Sequence, residues 1–342
     1  MVKVTVVGAS GYLGSELLRI LVNHPKVEKI IPTSRSLAGK PVSSLHRNLL
    51  GKYDEKFVDL NIEKIDSDVA FFAAPPGEWF SQLPSLLKRG VKVITLGGKF
   101  RIKDAKLDKE VYGGYENPAL LEERVYGLPE IYRKEIKKAR FVTNPGCYAT
   151  SIILGLLPLG KFDSGVDCLK VSVASISGTS GAGAEPSQKM HHPEVSGNMR
   201  PYNTAFHRHT PEVESVLKES SFTDIRISFV PIVGDLKRGI LSNCTLYTTS
   251  NKTEEAYAEH YRKYYRDEPY VRVTSDLPEI MNVAHSNFCD VHVEYSAASK
   301  RILAVSAIDN LVKGGSGQAV QNMNIMMGFD EKAGLGLLAG HP

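Results

Sequence analysis

The N-terminal stretch VKVTVV, residues 2 to 7, runs into a glycine-rich turn and then into a segment with helical periodicity. Its β-branched residues predict a strand. Apolar residues then recur at helical spacing at Leu17, Leu18, Leu21 and Val22. Such a turn lets backbone N–H groups approach a pyrophosphate at the positive end of a helix. The GxxGxxG spacing differs from the usual GxGxxG, so the motif alone is a weak signal. We predict a dinucleotide-binding turn that uses Gly8, Ser10, Gly11, Tyr12, Leu13 and Gly14.

The second predicted strand, residues 27 to 32, is followed by Thr33-Ser34-Arg35-Ser36. A chain that binds NAD carries a carboxylate at this strand end, where it accepts the ribose 2′-hydroxyl. A guanidinium between two hydroxyls suits a 2′-phosphate instead. We therefore predict NADP as the cofactor and Ser34, Arg35 and Ser36 as its 2′-phosphate site, with a solvated loop as the alternative.

Two further apolar strands, DVAFFAA (68 to 74) and VKVITLGG (91 to 98), are separated by a helix-like segment from Glu78 to Arg89. Strands that alternate with helices predict a doubly wound α/β fold with a parallel sheet. Ala74 and Pro75 would then lie at the carboxyl edge of a strand, where a cofactor crevice is expected.

Cys147 stands directly after Asn144-Pro145-Gly146 and directly before the apolar segment YATSIILGLLPL. Proline and glycine end the short strand at 141 to 143, and the residues that follow predict a helix. At a helix N-terminus the exposed N–H groups and the helix dipole favour a thiolate over a thiol, and the thiolate is the nucleophile. We predict that Cys147 is catalytic, the alternative being a small buried apolar residue. The other three cysteines, at 168, 244 and 289, are predicted to be packing residues.

A nucleophile needs a proton acceptor, and the segment His207-Arg208-His209-Thr210-Pro211-Glu212 holds the densest cluster of candidates. Thr210-Pro211-Glu212 predicts the start of a helix, so both histidines are expected on the loop before it. Alternation along that loop points both imidazoles the same way. We favour His209 as the acid/base and keep His207 open. His191-His192 has no third ligand at a useful spacing, so no metal site is predicted.

The stretch SISGTSGAGAEPS, residues 175 to 187, contains four glycines after a predicted strand. Backbone N–H groups in such a stretch can form an anion-binding nest, although the same composition also makes an ordinary flexible loop. We assign cofactor contacts to Ser177 and Gly178. Substrate contacts are predicted at Asn144, Ser180, Gly181 and Arg208.

The composition limits the class of protein. A chain of 342 residues suits two domains. A net charge of +4, with basic residues spread along the chain, argues against a nucleic-acid partner. We expect no membrane partner, because the apolar stretches fall short of the ~20 residues needed to cross a bilayer. The N-terminus lacks the pattern of a signal peptide, so we expect a cytoplasmic protein.

Six stretches together resemble one family, the N-acetyl-γ-glutamyl-phosphate reductases of arginine biosynthesis with the relatives that reduce aminoadipyl phosphate in lysine biosynthesis. They occur in order and span the chain: VGASGYLGSELLRIL, YGLPE, NPGCYAT, SGTSGAG, HRHTPE and DNLVKGGSGQAVQNMN. The resemblance implies that Cys147 is the nucleophile, His209 the acid/base, and Asn310 a cofactor contact. It also implies thiolate attack on an acyl phosphate, reduction of the thioester by NADPH, and release of an aldehyde.

Two segments bear on how far the resemblance extends. TLGGKFR (95 to 101) has Lys99 where the family often has an acidic residue, so any role for that segment is in doubt. The His-His-Pro-Glu segment at 191 to 194 resembles the branch whose acyl group hangs from a small acidic amino-group carrier protein. Basic residues in this half of the chain would suit such a partner, notably Arg200, Arg208, Lys237 and Arg238.

We therefore predict a Rossmann-type NADP-binding domain over residues 1–145, completed by a C-terminal segment (310–342) whose helix spans 317 to 327. An α+β domain with a mainly antiparallel sheet, residues 146–309, would carry substrate residues and a homo-oligomer interface. The resemblance leaves open whether the substrate has five or six carbons and whether acetyl or the carrier blocks its amino group. An aspartate-semialdehyde-type dehydrogenase, a silent NADP-binding regulator and a thiol hydrolase are the alternatives.

Overall fold

A computed structural model describes residues 1–75, 77–113 and 119–340, with the side chain of residue 78 outside the description. The chain forms two units. One contains Met1–Pro145 and Gly315–Leu337, and the other contains Gly146–Gly314 and the segment that starts at Leu338.

Six parallel strands form the sheet of the first unit. They are β1 (Val2–Val7), β2 (Val27–Thr33), β3 (Val69–Phe72), β4 (Lys92–Thr95), β5 (Val125–Tyr126) and β6 (Phe141–Thr143). The order across the sheet is β2-β1-β3-β4-β6-β5, and every neighbouring pair is parallel. The strands read as apolar runs because both faces of a parallel sheet are covered. The order reverses beside β1, which makes the carboxyl end of β1 the expected ligand crevice.

Helices of the first unit follow these strands. They are α1 (Tyr12–Leu21), α2 (Val42–Leu45), α3 (Leu83–Lys88), α4 (Ala105–Tyr112), α5 (Ala119–Glu123) and α6 (Pro129–Ile136). The helix expected at Glu78–Arg89 divides into a 3₁₀ turn, Glu78–Gln82, and α3. Aromatic rings pack into the core between helices and sheet, with the rings of Phe72 and Trp79 stacked at 4.3 Å.

Seven strands form the sheet of the second unit. They are β7 (Val171–Ser177), β8 (Arg200–Pro201), β9 (Ile227–Val233), β10 (Ile240–Tyr247), β11 (Val271–Val273), β12 (Cys289–Ser296) and β13 (Arg301–Ile308). Their order is β11-β12-β13-β10-β7-β9-β8. The pairs β11–β12 and β7–β9 are parallel and the other four pairs are antiparallel.

The second unit also holds five helices: α7 (Cys147–Leu156), α8 (Leu159–Phe162), α9 (His192–Val195), α10 (His209–Ser220) and α11 (Glu254–Tyr264). A π-helical turn, Val312–Ser316, precedes α12 (Gly317–Met327). Helix α12 belongs to the first unit and packs there on α1, α6 and β4. The helix predicted at 317 to 327 is thus confirmed.

Buried helix α7 is held at several heights by side chains of the second unit. All its residues from Tyr148 to Leu156 are buried. A row of buried serine hydroxyls lies between α7 and the sheet, since Ser151 Oγ is 2.9 Å from Ser242 Oγ and 2.8 Å from Ser306 Oγ. At its carboxyl end, Tyr261 and Tyr265 donate hydrogen bonds to the carbonyls of Gly155 and Leu154. These contacts fix the helix whose first residue is Cys147.

Candidate active site

The glycine turn between β1 and α1 has the backbone that a dinucleotide needs. Gly8 adopts a φ of +80°, and a Cβ there would lie 2.9 Å from the Cβ of Ala74. A Cβ on Gly14 would lie 2.3 Å from the Gly8 carbonyl oxygen. Glycine is therefore required at both positions, once for backbone conformation and once for close approach. Helix α1 starts at Tyr12 after the glycine N-cap Gly11, so its first N–H groups have no capping side chain.

The predicted 2′-phosphate segment lies against this turn. The Ser34 hydroxyl donates to the Ser10 hydroxyl at 3.1 Å, and the Ala9 N–H donates to the Thr33 carbonyl at 3.0 Å. Ser34 is buried, whereas Arg35 and Ser36 are exposed at the end of β2. Pro75 and Ala74 follow β3 at the same carboxyl edge, and the Pro75 carbonyl accepts from the Trp79 ring N–H at 3.0 Å. The residues predicted for the cofactor in the first unit therefore share one edge.

Cys147 is the first residue of α7, as predicted, and its N-cap is Gly146. Its side chain is half-buried, while the residues that follow it are buried. The Gly146 N–H donates to Glu212 Oε1 at 2.8 Å, and Glu212 is completely buried on α10. On another side, a Cβ added to Gly314 would lie 2.8 Å from the Cys147 Cβ. Cys147 thus stands at the N-terminus of α7, next to a cap residue that Glu212 holds by a hydrogen bond.

The two histidines lie together in the second unit, with ring centroids 4.9 Å apart. One sequence expectation was wrong, because His209 is the first residue of α10 and only His207 stays on the preceding loop. The difference arises because His209 takes helical backbone angles one residue earlier than the Thr-Pro-Glu start signal suggests. The His209 backbone N–H donates to His207 Nδ1 at 3.2 Å. That nitrogen accepts a hydrogen bond, so the proton of neutral His207 lies on Nε2.

Aromatic rings surround His207. The rings of Tyr148, Tyr202 and Phe229 lie at centroid distances of 5.6, 5.8 and 5.2 Å from it, each nearly edge-on. Burial, with a smaller effect of the Arg208 charge, lowers the pKa of His207 to about 4. His207 is therefore neutral at physiological pH.

Two phenols link this cluster to the nucleophile. The Tyr202 hydroxyl donates to the Tyr148 hydroxyl at 3.1 Å, and Tyr148 directly follows Cys147. Burial raises the pKa of Tyr148 and of Tyr202, and the negative charge of a Cys147 thiolate raises both further. Both phenols consequently remain protonated, and both interact electrostatically with the sulfur of Cys147.

The SGTSG loop, with the AG that follows it (residues 177–183), does not form the backbone nest that is one of the two interpretations of its sequence. Its N–H groups are bonded within the unit, since Gly178, Thr179 and Ser180 donate to the carbonyls of Gly239, Leu236 and Lys237. Gly181 and Gly183 donate to carbonyls of the loop itself. The nest interpretation is wrong for these five donors because the neighbouring loop, residues 236–239, satisfies three of them and the 3₁₀ turn Thr179–Ala182 satisfies the rest.

Side chains of this loop also have partners. Asn310 Oδ1 accepts from the Gly239 N–H at 2.7 Å, and Asn310 Nδ2 donates to the Ser180 hydroxyl at 3.0 Å. The Ser177 hydroxyl donates to the Gly178 carbonyl at 3.1 Å. Asn310 and Ser180 therefore stabilise the loop, and their predicted ligand contacts stay predictions.

Asn144 holds the chain in place before the cysteine. Its Nδ2 donates to the Gly315 carbonyl at 2.8 Å, and its Oδ1 accepts from Asn322 Nδ2 at 2.9 Å. The Arg101 Nε–H donates to the Asn144 carbonyl at 2.8 Å. The Asn144 residue is 1% exposed, and its hydrogen bonds give it a structural role. Its predicted contact with the substrate stays a prediction. Arg208, by contrast, is exposed.

Three residues that contact the segment from Asn144 to Cys147 were not predicted from the sequence: Arg101, Glu212 and Gly314. Arg101 belongs to the segment whose role was in doubt because of Lys99, and it is 6% exposed. Lys99 itself places its ammonium 5.1 Å from the Phe80 ring centroid. The sequence could have indicated Glu212, because it stands three residues after His209 and therefore lies on the same helix face. Gly314 had no such local signal.

The remaining cysteines suit packing. Cys244 and Cys289 are buried in strands, and burial raises the pKa of Cys244 to about 12. Cys168 lies in the turn before β7 and is half-buried. Within residues 1–75, 77–113 and 119–340 no group of acidic, histidine or cysteine side chains could hold a metal ion. No helix in this described part is long and apolar enough to cross a membrane.

Two family descriptions match successive parts of the chain. Residues 3–139 match "Semialdehyde dehydrogenase, NAD binding domain", and residues 147–310 match "Semialdehyde dehydrogenase, dimerisation domain". An N-acetyl-gamma-glutamyl-phosphate reductase of Methanococcus maripaludis (strain C5) is 42% identical over 339 residues, which cover 98% of each chain. The chain belongs to the N-acetyl-γ-glutamyl-phosphate reductase family. The predicted resemblance is confirmed at this level, and so are an oxidoreductase and an NAD(P)-binding domain.

Solved structures of other members of the wider semialdehyde dehydrogenase group share the fold. Aspartate semialdehyde dehydrogenase II from Vibrio cholerae has a TM-score of 0.71 and 16% identity, covering 96% of this chain and 98% of that chain. Aspartate semialdehyde dehydrogenase with NADP from Candida albicans has a TM-score of 0.68 and 15% identity over 96% and 98% of the chains. Likeness at such identity concerns the fold alone, and the predicted fold class is confirmed.

Proposed function

We propose that the protein reduces an N-blocked acyl phosphate to the semialdehyde, with NADPH as reductant and phosphate as leaving group. The observation that carries the proposal is the geometry of Cys147, a half-buried sulfur at a glycine-capped helix N-terminus. A thiolate is stabilised there by the helix N–H groups and remains a strong nucleophile. Its family relatives are named for this acyl-phosphate class of substrate.

In the proposed reaction the Cys147 sulfur attacks the acyl carbon. The carbon–oxygen bond to phosphate breaks, phosphate leaves with the electron pair, and a thioester remains on sulfur. NADPH, if held at the glycine turn, would supply the hydride for this reduction, and the thioester on Cys147 would become a thiohemiacetal. The carbon–sulfur bond then breaks, which releases the aldehyde and returns the thiolate. Forming a thioester divides one difficult reduction into two steps with good leaving groups.

We assign proton transfer to His209. It would protonate the thiohemiacetal oxygen as that oxygen gains charge and take the proton back during collapse. His207 is poorly suited to this task, because its pKa near 4 keeps it unprotonated and its Nδ1 is occupied by the His209 N–H. His207 is then a positioning residue for His209.

The first unit would hold the cofactor and the second unit the substrate, with helix α12 completing the first. The glycine turn fits a pyrophosphate, because a Cβ at Gly8 or Gly14 would fill the space that a close backbone approach requires. Exposed Arg35, between Ser34 and Ser36, is assigned to the 2′-phosphate, which makes NADP the preferred dinucleotide. The matching test is an R35A variant, whose preference for NADPH over NADH is expected to fall about tenfold or more.

We further propose that a small acidic carrier protein blocks the amino group of the substrate. The proposed role of the enzyme is in lysine or arginine biosynthesis, and the proposed compartment is the cytoplasm. Support comes from the His-His-Pro-Glu segment and from exposed Lys189, Arg208 and Lys237 in the same unit. Arg200 donates to the Glu194 carbonyl at 3.1 Å and also to the Lys189 carbonyl, so it shapes this loop. The dimerisation-domain match supports a homo-oligomer, which light scattering after gel filtration measures directly.

The reverse reaction tests the substrate. Phosphate-dependent NADP reduction is followed with acetylated and carrier-linked semialdehydes of five and six carbons. Turnover of carrier-linked substrates with little activity on the acetylated ones is expected. Activity with the acetylated five-carbon substrate alone would exclude the carrier, and inactivity with all four would contradict the proposed function.

A further inference from the structure

His46 lies outside every motif of the sequence but reaches the dinucleotide turn. It stands between α2 and the 3₁₀ turn Arg47–Leu49, in the segment that connects β2 to β3. The side chain is buried at 8% exposure, and its Nε2 is 2.8 Å from the Ala9 carbonyl oxygen. Both groups belong to the first unit.

The contact determines the tautomer of His46. A carbonyl oxygen can only accept a hydrogen bond, so Nε2 carries the proton. Burial lowers the pKa of the imidazole, which keeps the ring neutral with Nε2–H as its single donor. Phe57 packs edge-on against the ring at a centroid distance of 6.0 Å and fixes its plane.

The Ala9 carbonyl and the Ser10 N–H belong to the same peptide group. In a trans peptide these two groups point in opposite directions, so the partner of one sets the direction of the other. The neighbouring peptide is held as well, because the Gly8 carbonyl accepts from the Gly11 N–H at 3.1 Å. On its other side, the Ala9 N–H donates to the Thr33 carbonyl at 3.0 Å. Three consecutive peptide groups, those between Gly8 and Gly11, therefore each have a hydrogen-bond partner that fixes their plane.

We propose that His46 is a positioning residue of the cofactor site, which turns the Ser10 N–H toward the pyrophosphate by holding the Ala9 carbonyl away from it. This inference rests on the proposed use of NADP. If the Ala9–Ser10 peptide flipped, a carbonyl oxygen would face the anion in place of an N–H donor. The imidazole thus removes a repulsive arrangement and prepares an attractive one before the cofactor binds.

The test compares three variants in a binding assay that needs no turnover. H46F removes the donor and keeps a flat ring, and H46Q replaces Nε2–H by an amide N–H at a similar distance from the backbone. H24F is the matched control, since His24 is also buried in the first unit, at 3% exposure, with its Nε2 2.9 Å from Asn324 Oδ1. Each variant is titrated with NADPH by nicotinamide fluorescence and with 2′-AMP, which lacks the pyrophosphate, by NMR.

We expect H46F to weaken NADPH binding about tenfold, the size of one hydrogen bond to a charged group, with H46Q recovering most of the loss. Binding of 2′-AMP should stay unchanged, and H24F should bind NADPH like the unsubstituted protein. The inference is overturned if H46F leaves NADPH affinity unchanged, or if NADPH and 2′-AMP weaken equally, since His46 would then only support the loop. Failure of the unsubstituted protein to bind NADPH would instead remove the proposed function.

Discussion

The start of α1 and the start of α7 both leave helix N–H groups without a capping side chain, but different residues shape the two sites. Both helices follow a parallel strand of the first sheet, and both have glycine as N-cap, Gly11 for α1 and Gly146 for α7. A glycine cap leaves the first N–H groups and the positive end of the helix dipole to a ligand or to a thiolate. One corner therefore suits a dinucleotide and the other a nucleophile.

The two corners differ in what shapes them. At α1 the need for glycine is set within the turn, by the close approach of Gly14 to the Gly8 carbonyl, and His46 adds a contact from farther along the chain. At α7 the shape comes from residues far along the chain, Glu212 under the Gly146 N–H and Gly314 beside the Cys147 side chain. A turn whose shape depends on neighbouring residues can be predicted from a short motif. A helix start whose shape depends on distant residues cannot.

Removal of the sulfur should have the largest effect. C147S is expected to lower kcat by about 10⁴-fold or more, because a serine hydroxyl at this position stays protonated and is a much weaker nucleophile than a thiolate. NADPH affinity should be unchanged, since the dinucleotide turn belongs to the other corner. Steady-state turnover and fluorescence titration measure the two quantities, with C168S as the control. Wild-type turnover in C147S would remove Cys147 as the nucleophile.

Replacement of the histidines should separate their roles. H209N is expected to lower kcat about 10²- to 10⁴-fold, the usual contribution of a general acid/base. H207N should have a smaller effect, because an asparagine oxygen can take the place of Nδ1 as acceptor for the His209 N–H. A pH profile of kcat that keeps its shape in H207N and loses one limb in H209N is the expected signature. The opposite pattern would exchange the two assignments.

A methyl group added in α1 and in α7 sharpens the comparison of the two helices. G14A should destabilise the fold by about 1–3 kcal/mol, because its Cβ would meet backbone of the turn at 2.3 Å. G155A should be neutral or slightly stabilising, since its nearest neighbour, Ser306 Oγ, is 3.4 Å away and alanine favours a helix. Denaturant unfolding measures both. Equal destabilisation would mean that the α1 turn has no special geometry.

The smallest effect concerns acid stability. The pKa of His207 lies at about 4 in the folded state, below its ordinary value of 6.5. The unfolded chain therefore binds more protons between these values, so the stability contributed by His207 is complete above 6.5 and is lost as pH falls toward 4. The stability deficit of H207N relative to the unsubstituted protein should accordingly shrink from pH 7 to pH 5, as followed by urea unfolding. A deficit that is constant with pH would place His207 in a solvated setting.

Sequence reasoning succeeded where the structure repeats a local pattern. The strand at 141 to 143, the helix start at Cys147 and the helix at 317 to 327 follow from proline, glycine and apolar spacing within a few residues. The SGTSG loop shows the limit of that approach. Its composition allowed a nest, but three of its N–H groups donate to carbonyls of a loop about 60 residues away, and two donate to carbonyls of the loop itself.

The linear chain therefore determined the two sheets, the dinucleotide turn and the helix that carries Cys147, because each depends on periodicity and on backbone restrictions of glycine and proline. Tertiary structure alone decided which side chains complete the corners: Glu212 at the cap of α7, Arg101 on the Asn144 carbonyl and His46 on the Ala9 carbonyl. Each is a single hydrogen bond between residues 37 to 66 positions apart. No periodic pattern records such a contact, because its geometry depends on how buried elements pack rather than on the residues beside it.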